Sequence, residues 1–398
     1  MSPRRQLAGI YFSVLLFFTG EAALHVLVSP YMARELRLEP AAIGAVVGVF
    51  AGASLAARLP AGAAYTRARL RTMVLGGGGL STAAFALVPL TDGPVPFAAL
   101  MALDGLGWSV VTTTQLAALV AARPSGMRVA AAMGWYSGFT GLGNTIGAAL
   151  GGTVADRVGF DASFLGLAGV VALGTLVMVW TRGRLDASAE PPRPAPSAAR
   201  LAAAIGAMPA AVWLGVLVMI YINFINGVVT TFHPVLALAA GLTLTQIGIL
   251  AACRSWASSS VRLGSGLLFA RVDAVRLTLP LMVLGAASLV LLPPVAASFA
   301  LSVPLFLATG LSRGLLRVTG SAEAFDAVGD ADRDHGLTAA LVHSGLDVGK
   351  LAGPIVGGAV AQVIGVAAMF QVLPLALLAV YFVVLGLARS RQPAYGMD

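Results

Sequence analysis

The chain has 398 residues, of which 58% are hydrophobic and only 11% are charged, and its mean hydropathy is +0.89. Soluble domains average about 25% charged residues, so this composition excludes a soluble globular protein. A net charge of +8 and a pI near 10.3 would suit nucleic-acid binding, but the arginines stand at the ends of apolar runs. We therefore expect a lipid bilayer, and no nucleic acid, as the partner of this basic chain.

Apolar runs of about 18 residues or more recur along the whole sequence, which is the length that crosses roughly 30 Å of hydrocarbon as a helix. They predict an all-α membrane protein with twelve transmembrane helices. The predicted spans are 8–33, 41–65, 72–91, 95–121, 128–154, 162–181, 211–239, 243–268, 276–294, 298–320, 337–361 and 367–388. The first run follows basic residues, as in a signal peptide, but it has no convincing cleavage site and is interpreted as an uncleaved span.

The longest polar segment, 182–207, is rich in Pro, Ala and Arg and is predicted to be a cytoplasmic linker. It divides the chain into an N-terminal six-helix bundle, 1–181, and a C-terminal six-helix bundle, 208–398. With the N-terminus inside, sixteen arginines of the loops and ends fall on the cytoplasmic side and three fall outside. The positive-inside rule then predicts a multi-pass protein of the cytoplasmic (inner) membrane with both termini in the cytoplasm.

The two halves of the sequence repeat each other. Segment 57–71 aligns with 261–276 at an offset of 204 residues, and 143–164 aligns with 349–370 at an offset of 206. The matched positions include Arg58, Gly62 and Arg67 with Arg262, Gly266 and Arg271, and Gly143, Gly147, Gly151, Gly152 and Gly159 with Gly349, Gly353, Gly357, Gly358 and Gly365. A parallel repeat about an axis along the membrane normal is a transporter architecture.

At the end of the second span the sequence resembles the major facilitator superfamily, whose loop there reads roughly Gly-x-x-x-Asp-Arg-x-Gly-Arg-Arg. Gly62, Arg67 and Arg71 fit this motif, whereas Thr66 stands in place of the usual Asp. The resemblance covers nearly the whole chain. It implies two pseudo-symmetric six-helix bundles around a central cavity, with spans 3, 6, 9 and 12 on the outside.

The fifth span resembles another motif of that family, Gly-x-x-x-Gly-Pro-x-x-Gly-Gly, with Ala148 in place of Pro. The complete form, "GKLAGPIVGG" with Pro354, lies in the eleventh span. In the family this motif is associated with exporters and antiporters, which implies the drug:proton antiporter branch. A glycine stripe also has a simpler interpretation, close packing of helices, and loop arginines can simply anchor at lipid headgroups. The predicted gating or packing residues are Arg58, Gly62, Arg67, Arg71, Gly143, Gly147, Gly151, Gly152, Arg262, Gly266, Arg271, Gly349, Gly353, Pro354, Gly357 and Gly358.

Seven charged residues lie deep inside predicted spans 1, 4, 8, 10 and 11. They are Glu21, Asp104, Arg254, Arg313, Arg317, Asp347 and Lys350, the last being the single lysine of the chain. Each would cost about 2.5–3.5 kcal/mol at the centre of a lipid-facing helix, so they are expected to face protein or a water-filled cavity. The alternative to a functional role is that acids and bases simply pair with one another.

The spacing of the polar residues groups them on helix faces. His343, Asp347 and Lys350 recur at i, i+4 and i+7, and Glu21 shares a face with His25. Asn223 and Asn226 of span 7 are polar groups suited to a solute. The predicted substrate-binding and proton-coupling residues are Glu21, His25, Asp104, Asn223, Asn226, Arg254, Arg313, Arg317, His343, Asp347 and Lys350.

The sequence contains no phosphate-binding loop, metal-ligand cluster or hydrolase motif, so we expect neither an enzyme nor a bound cofactor or metal. An ion gradient is then the energy source, because a carboxyl group withdrawn from water can load and release a proton. Glu21 is the first candidate carrier, since its own span holds no cation, and Asp347 is the second, since Lys350 one turn away would keep it charged.

The resulting prediction is a proton-coupled secondary transporter of a small organic solute that works by rocker-switch alternating access, as an efflux or antiport protein and as a monomer. The excess of bases leaves open a symporter or uniporter for an organic anion or zwitterion. A membrane sensor or scaffold is the alternative of another class.

Overall fold

The helices follow the predicted spans within a few residues at most ends. The computed structural model describes residues 3–66, 68–122, 129–181, 205–269, 271–326, 328 and 332–390. The helices are α1 Pro3–Arg34, α2 Pro40–Ala64, α3 Leu70–Leu87, α4 Pro94–Ala122, α5 and α6 within the continuous segment Val129–Trp180, α7 Ala210–Ala239, α8 Leu244–Phe269, α9 Ala274–Val290, α10 Phe299–Asp326, α11 Asp332–Ile364 and α12 Val366–Ser390. Arg67 and nearly all of the predicted linker, 182–204, lie outside the described residues, so the domain boundaries stay a prediction.

Apolar composition and length make most of these helices membrane spans. Eight helical segments in the described ranges meet both conditions, and one of them, Ala132–Trp180, has 49 residues and suffices for two passes. Arg276–Val290 in α9 is shorter, and the charged side chains of α8 and α11 make those two helices less apolar. The prediction of twelve transmembrane helices in two pseudo-symmetric six-helix bundles is confirmed.

Each half contains a helix break at a glycine. Within Val129–Trp180 the backbone leaves the helical conformation at Gly159, with φ 82°, and this residue separates α5 from α6. Gly365, with φ 86°, separates α11 from α12. Residues with a Cβ rarely adopt such angles, so glycine permits both turns. The two glycines are 206 residues apart, and the second half therefore repeats the geometry of the first.

Glycine stripes bring helices of one half into backbone contact. A Cβ added at Gly143 of α5 would lie 2.7 Å from the Leu15 carbonyl oxygen of α1, and one at Gly151 would lie 2.8 Å from the Ala23 backbone. The equivalent contacts of α11 with α7 are Gly345 with Val216, Gly349 with Ile220, Gly353 with Phe224, and Gly357 with Val228. Both stripes thus lie where the packing interpretation predicts close contact, and small residues let the helices of each half approach one another.

The two halves meet through a second set of glycines. Gly44 of α2 lies against Pro354 and Gly358 of α11, and Gly248 of α8 lies against Ala148 and Gly152 of α5. These contacts stand at the end of the bundle that holds segments 35–39 and 240–243, which we call the far face. The opposite end, with segments 65–69 and 271–273, is the linker face. Backbone contact between the halves is thus concentrated towards the far face.

The outer surface is apolar, as a lipid-facing surface must be. Exposed large side chains are frequent on α6 and α12, the outer helices of the two halves. They include Leu165, Leu173, Leu176, Val372, Leu375 and Val383. The glycine faces of α5 and α11 pack against neighbouring helices instead.

Replacing Gly147 by alanine tests the packing of α5 on α1. The new methyl group would overlap the Thr19 carbonyl oxygen, so we expect a loss of about 1–3 kcal/mol in stability and a lower Tm in detergent. Gly166→Ala on α6 is the matched control, because its Cβ would meet no atom within 4 Å and alanine favours the helix. Equal Tm values for the two variants would contradict the close packing.

Candidate functional site

Glu21 of α1 and Asp104 of α4 form a carboxyl pair inside the N-terminal half. Their exposed fractions are 1% and 0%, and their side chains lie within hydrogen-bonding range of each other. The Ser81 hydroxyl approaches Asp104, but none of the four carboxylate oxygens has a well-aligned donor. Two carboxylates offer only acceptors, and two adjacent negative charges are unstable in a low-dielectric interior. A proton held between the two carboxyl groups would remove this repulsion.

Lys350 of α11 reaches from the C-terminal half into the N-terminal half. Its Nζ lies 4.6 Å from the ring centroid of Phe50 on α2 and 5.1 Å from that of Trp108 on α4. Aromatic faces stabilise a desolvated ammonium. Glu21 and Asp104 both lie within electrostatic range of this ammonium. The sequence assigned no cation to Glu21, because the cation comes from another helix in the other half.

A small cavity of about 70 Å³ adjoins the ammonium of Lys350. Its lining includes His25, Ser29, Phe50, Asn226, Thr230 and Pro354. This volume admits water but is far below the ~300–1,000 Å³ of small-molecule sites. His25 and Asn226, two of the predicted substrate-binding or proton-coupling residues, line this cavity together with Lys350.

Asp347 makes a cross-half ion pair with Arg58 of α2, at 3.5 Å. The side chains are 18% and 41% exposed, so the pair stands at the wet part of the seam. Lys350 also lies within electrostatic range of Asp347, but Arg58 is the direct partner. Arg58 was predicted to be a gating residue, and its contact across the seam is consistent with that prediction.

Four arginines converge on the C-terminal side of the seam. Arg254 and Arg262 come from α8, and Arg313 and Arg317 from α10. The charges of the other three all act on Arg313. The helices that carry them pack through Gly314, where an added Cβ would lie 2.6 Å from a carbonyl oxygen of α8.

The positive charges of these arginines have few hydrogen-bond partners and few nearby carboxylates among the described residues. Arg254 is 5% exposed, and its Nε and one Nη have no hydrogen-bond partner. Arg262 donates to the Ser258 carbonyl at 3.0 Å and to the Ser259 hydroxyl at 3.2 Å. Asp347 is the carboxylate in range of Arg317, and it already binds Arg58. Among the described residues, the ionisable groups therefore do not simply neutralise one another, contrary to the purely structural alternative.

The remaining predicted polar residues have different surroundings. Asn223 donates to the Leu346 carbonyl at 2.8 Å and so joins α7 to α11. His233 is buried, with its ring 4.4 Å from that of Phe306. His343 lies on α11, but its side chain lies outside the described part of the chain, as do the surroundings of Gly266.

The predicted loop motifs have looser surroundings. At Gly62 the nearest atom to an added Cβ, a Thr113 methyl, is 4.0 Å away, so packing does not require glycine there. Arg71 and Arg271 are exposed at the linker face. The close contacts between the halves are instead at the opposite, far face.

A carboxylate cap closes the far face. Asp156, at the end of α5, accepts hydrogen bonds from the Leu244 amide at 3.2 Å and from the Thr245 amide and hydroxyl at 2.7 and 2.6 Å. This carboxylate of one half thus caps the first turn of α8 in the other half. Gln362, 206 residues later, accepts from the Ala41 amide at 3.4 Å at the start of α2. The two interfaces are closed by equivalent positions.

The seam widens towards the linker face. An added Cβ would lie 2.6 Å from Ile355 at Gly48 and 3.8 Å from Leu351 at Gly52, one turn nearer the linker face. On α5, a Cβ at Gly138 or Gly134 would meet no described atom within 4 Å. The halves therefore pack less closely towards the linker face in the described residues, although a Cβ at Gly141 of α5 would still overlap the Ser259 side chain of α8.

Sequence reasoning missed Phe50, Trp108 and Asp156. The two aromatic residues looked like ordinary core, yet the repeat offset of 204 pairs Phe50 with Arg254, and an offset of 205, between the two repeat offsets, pairs Trp108 with Arg313. That pairing was the available signal for their location. No sequence pattern pointed to Asp156, because its role depends on the position of a helix in the other half.

Comparison with known proteins gives consistent results. The profile described as Major Facilitator Superfamily matches residues 10–329. The structure is similar to the crystal structure of the nucleoside transporter NupG, with 11% identity, coverage of 96% of this chain and 98% of that chain, and a TM-score of 0.79. A mutant of the peptide transporter POT in complex with sulfate has 16% identity, covers 96% and 94%, and gives a TM-score of 0.74.

A bacterial homologue of the human lysosomal transporter Spinster, in an inward-facing and unoccupied conformation, has 15% identity, covers 98% and 96%, and gives a TM-score of 0.67. Comparison with curated protein sequences found no match. At these identities the solved structures show a shared fold and leave the transported solute undefined.

The Asp156 cap generates a prediction about far-face closure. In a Cys253→Ser background, Ser29→Cys places a thiol on a cavity residue that is 1% exposed. Asp156→Ala removes a cap contributing about 1 kcal/mol, so we expect labelling by an impermeant maleimide from the far face to rise about fivefold. The matched control is Asp161→Ala, which removes an exposed carboxylate from the following helix. Unchanged labelling in Asp156→Ala would contradict a role of the Asp156 cap in closing the far face.

Proposed function

Because the chain belongs to the Major Facilitator Superfamily, we propose that it is a proton-coupled secondary transporter of a small organic solute. The observation that supports this proposal best is the buried Glu21–Asp104 pair, which faces Lys350 across the moving seam. A membrane protein that needed only stability would gain little from such groups. Their position between two rigid halves suits the loading and release of a proton.

The carboxyl pair and Lys350 are proposed to act as one unit. With one shared proton the pair carries a single negative charge, close to the positive charge of Lys350. Gain of a second proton leaves Lys350 unbalanced, and loss of the first leaves two carboxylates for one cation. Each change alters the attraction between the halves, because Lys350 belongs to α11 while both acids belong to the other half. His25 and Asp347 lie in the same field.

Alternating access would then follow from the packing at the two faces. The glycine contacts and the Asp156 cap hold the far face shut, while the seam is open towards the linker face. We propose that the linker face is cytoplasmic in the inner membrane, as the arginine distribution predicts. In this orientation the structure corresponds to an inward-facing protein.

Two coupling modes use the same pair. The first is exchange of protons for exported solute, which the exporter-like glycine motif of the fifth and eleventh spans supports. In the structure this motif forms the contacts of Pro354 and Gly358 with α2. The second is cotransport of proton and solute, favoured by the position of Lys350: protonation of the pair frees its positive charge to attract an anionic solute.

Replacing the carboxyl groups separately tests the proton carrier. The shared proton is expected to give an infrared carboxyl band that disappears in Glu21→Gln and in Asp104→Asn. Both variants should also lose at least roughly tenfold in solute-driven proton flux in proteoliposomes, because a neutral amide cannot load a proton. Glu35→Gln, an exposed carboxylate just after α1, is the matched control. Full proton coupling in Glu21→Gln would refute the assignment.

The direction of proton flow separates the two coupling modes. Proteoliposomes with an internal pH dye are exposed to outward gradients of organic acids, nucleosides and lipophilic amines. A solute that leaves in exchange for protons will acidify the lumen, whereas a solute that leaves together with protons will make it alkaline. Absence of any proton movement across the panel, with solute transport demonstrated, would contradict proton coupling.

A further inference from the structure

In the C-terminal half, arginines occupy the positions equivalent to the aromatic residues that bind Lys350 in the N-terminal half. In the N-terminal half, Gly105 of α4 packs against the Phe50 carbonyl of α2, and in the C-terminal half Gly310 of α10 packs against the Arg254 carbonyl of α8. The helix pairs α2–α4 and α8–α10 therefore share an equivalent glycine contact. By the same offsets, Arg254 and Arg313 occupy the positions equivalent to Phe50 and Trp108.

The equivalent positions of the two halves carry different side chains, aromatic rings in one half and arginines in the other. Phe50 and Trp108 accept the ammonium of Lys350, which reaches them from α11. The counterpart of Lys350 on α5, 206 residues earlier, is Asn144, which is neutral and half-buried. The half that presents two arginines thus receives no charged side chain from the helix opposite. The site between Phe50 and Trp108 is occupied by the Lys350 side chain, whereas Arg254 and Arg313 receive no opposite charge from α5.

We propose that Arg254 and Arg313 bind an anionic group of the transported solute, a carboxylate or a phosphate; this inference rests on the transport function proposed above. Arg254 is buried with two of its nitrogens unpartnered, and a guanidinium matches a planar or tetrahedral oxyanion through paired hydrogen bonds. Arg262 and Arg317 extend the positive field beside this site. Asp347 does not compete, because it is paired with Arg58.

The site has a route of entry and a consequence for coupling. An added Cβ at Gly138 or Gly134 of α5 would meet no described atom within 4 Å, so the proposed route of an anion to the arginines runs from the linker face. Asp347 lies within electrostatic range of both Arg317 and Lys350, so it links the arginines to the charges around Lys350. Anion and proton then favour each other's binding, which corresponds to the cotransport mode.

Binding of simple anions to the purified protein tests the proposal directly. Benzoate and inorganic phosphate are titrated against the protein in neutral detergent, with tetraphenylphosphonium as the oppositely charged probe. We expect at least one of the two anions to raise Tm by roughly 2–4 °C, and the cation to have no effect. The rise should disappear in Arg254→Gln and in Arg313→Gln and persist in Arg276→Gln, which removes a surface arginine paired with Asp273. No rise with either anion, or a rise that survives both seam variants, would overturn the proposal.

The unliganded variants provide a second readout. An unpaired buried guanidinium destabilises a fold, so Arg254→Gln is expected to melt at the same temperature as the parent protein or higher without anion. A clear fall in Tm would assign Arg254 to packing and overturn its role as a binding residue. Glu21→Gln should keep the full anion effect, so failure of the proton proposal and failure of the anion site are distinguishable.

A lipid headgroup carries the same anionic chemistry, and a third arm separates the two sources. The protein is placed in nanodiscs of phosphatidylcholine with or without phosphatidylglycerol. For a solute site, the soluble anions stabilise the protein equally in both. Stabilisation that requires phosphatidylglycerol, with no effect of benzoate or phosphate, would make the arginines a lipid site and overturn the proposal.

Discussion

The cost of placing charge in hydrocarbon organises this molecule. An ionised side chain at the middle of a lipid-facing helix is unfavourable by several kcal/mol, and the chain carries seven such residues within its spans. Glu21 and Asp104 are buried inside the N-terminal half. Asp347 and Lys350 reach across the seam between the halves, and the arginines lie on its C-terminal side. The outer helices α6 and α12 instead present leucine, valine and phenylalanine outwards, so the charged groups are kept away from the lipid-facing surface.

Glycine allows that seam to form. Contacts such as Gly44 with Pro354 and Gly248 with Ala148 bring backbones of opposite halves together at the far face, and the Asp156 cap adds a directional contact. Further along α2 and α5 the same faces separate. The proposed rocking motion requires an interface that is tightly packed at one end and loosely packed at the other. The two halves can then separate at one end and approach at the other while each half stays intact.

The two halves share a packing scheme and differ in chemistry. Glycine contacts recur at offsets of 204 to 206 residues, including the breaks at Gly159 and Gly365. At equivalent positions, however, one half has aromatic rings around Lys350 and the other has arginines. The repeated backbone contacts provide two similar frames, and divergence of the side chains makes one the proposed proton-linked centre and the other a positively charged site.

The sequence alone determined the membrane class, the number of spans and the internal repeat, and it located the charged residues that lie within the spans. These follow from local properties: apolar length, the spacing of glycines and the cost of charge in lipid. The packing faces of α5 and α11 were likewise readable, because a stripe at i, i+4 and i+8 faces one neighbour.

Only the tertiary structure decided which ionisable groups meet. Lys350 lies seven residues from His343 and three from Asp347 along its own helix, yet its ammonium lies over Phe50 and Trp108 from the other half. Asp347 pairs with Arg58, and Asp156 caps a helix 88 residues away. Such contacts depend on how the two six-helix bundles pack against each other. The periodicity of a helix shows which of its residues share a face, but it does not show which residues of the other bundle that face will meet.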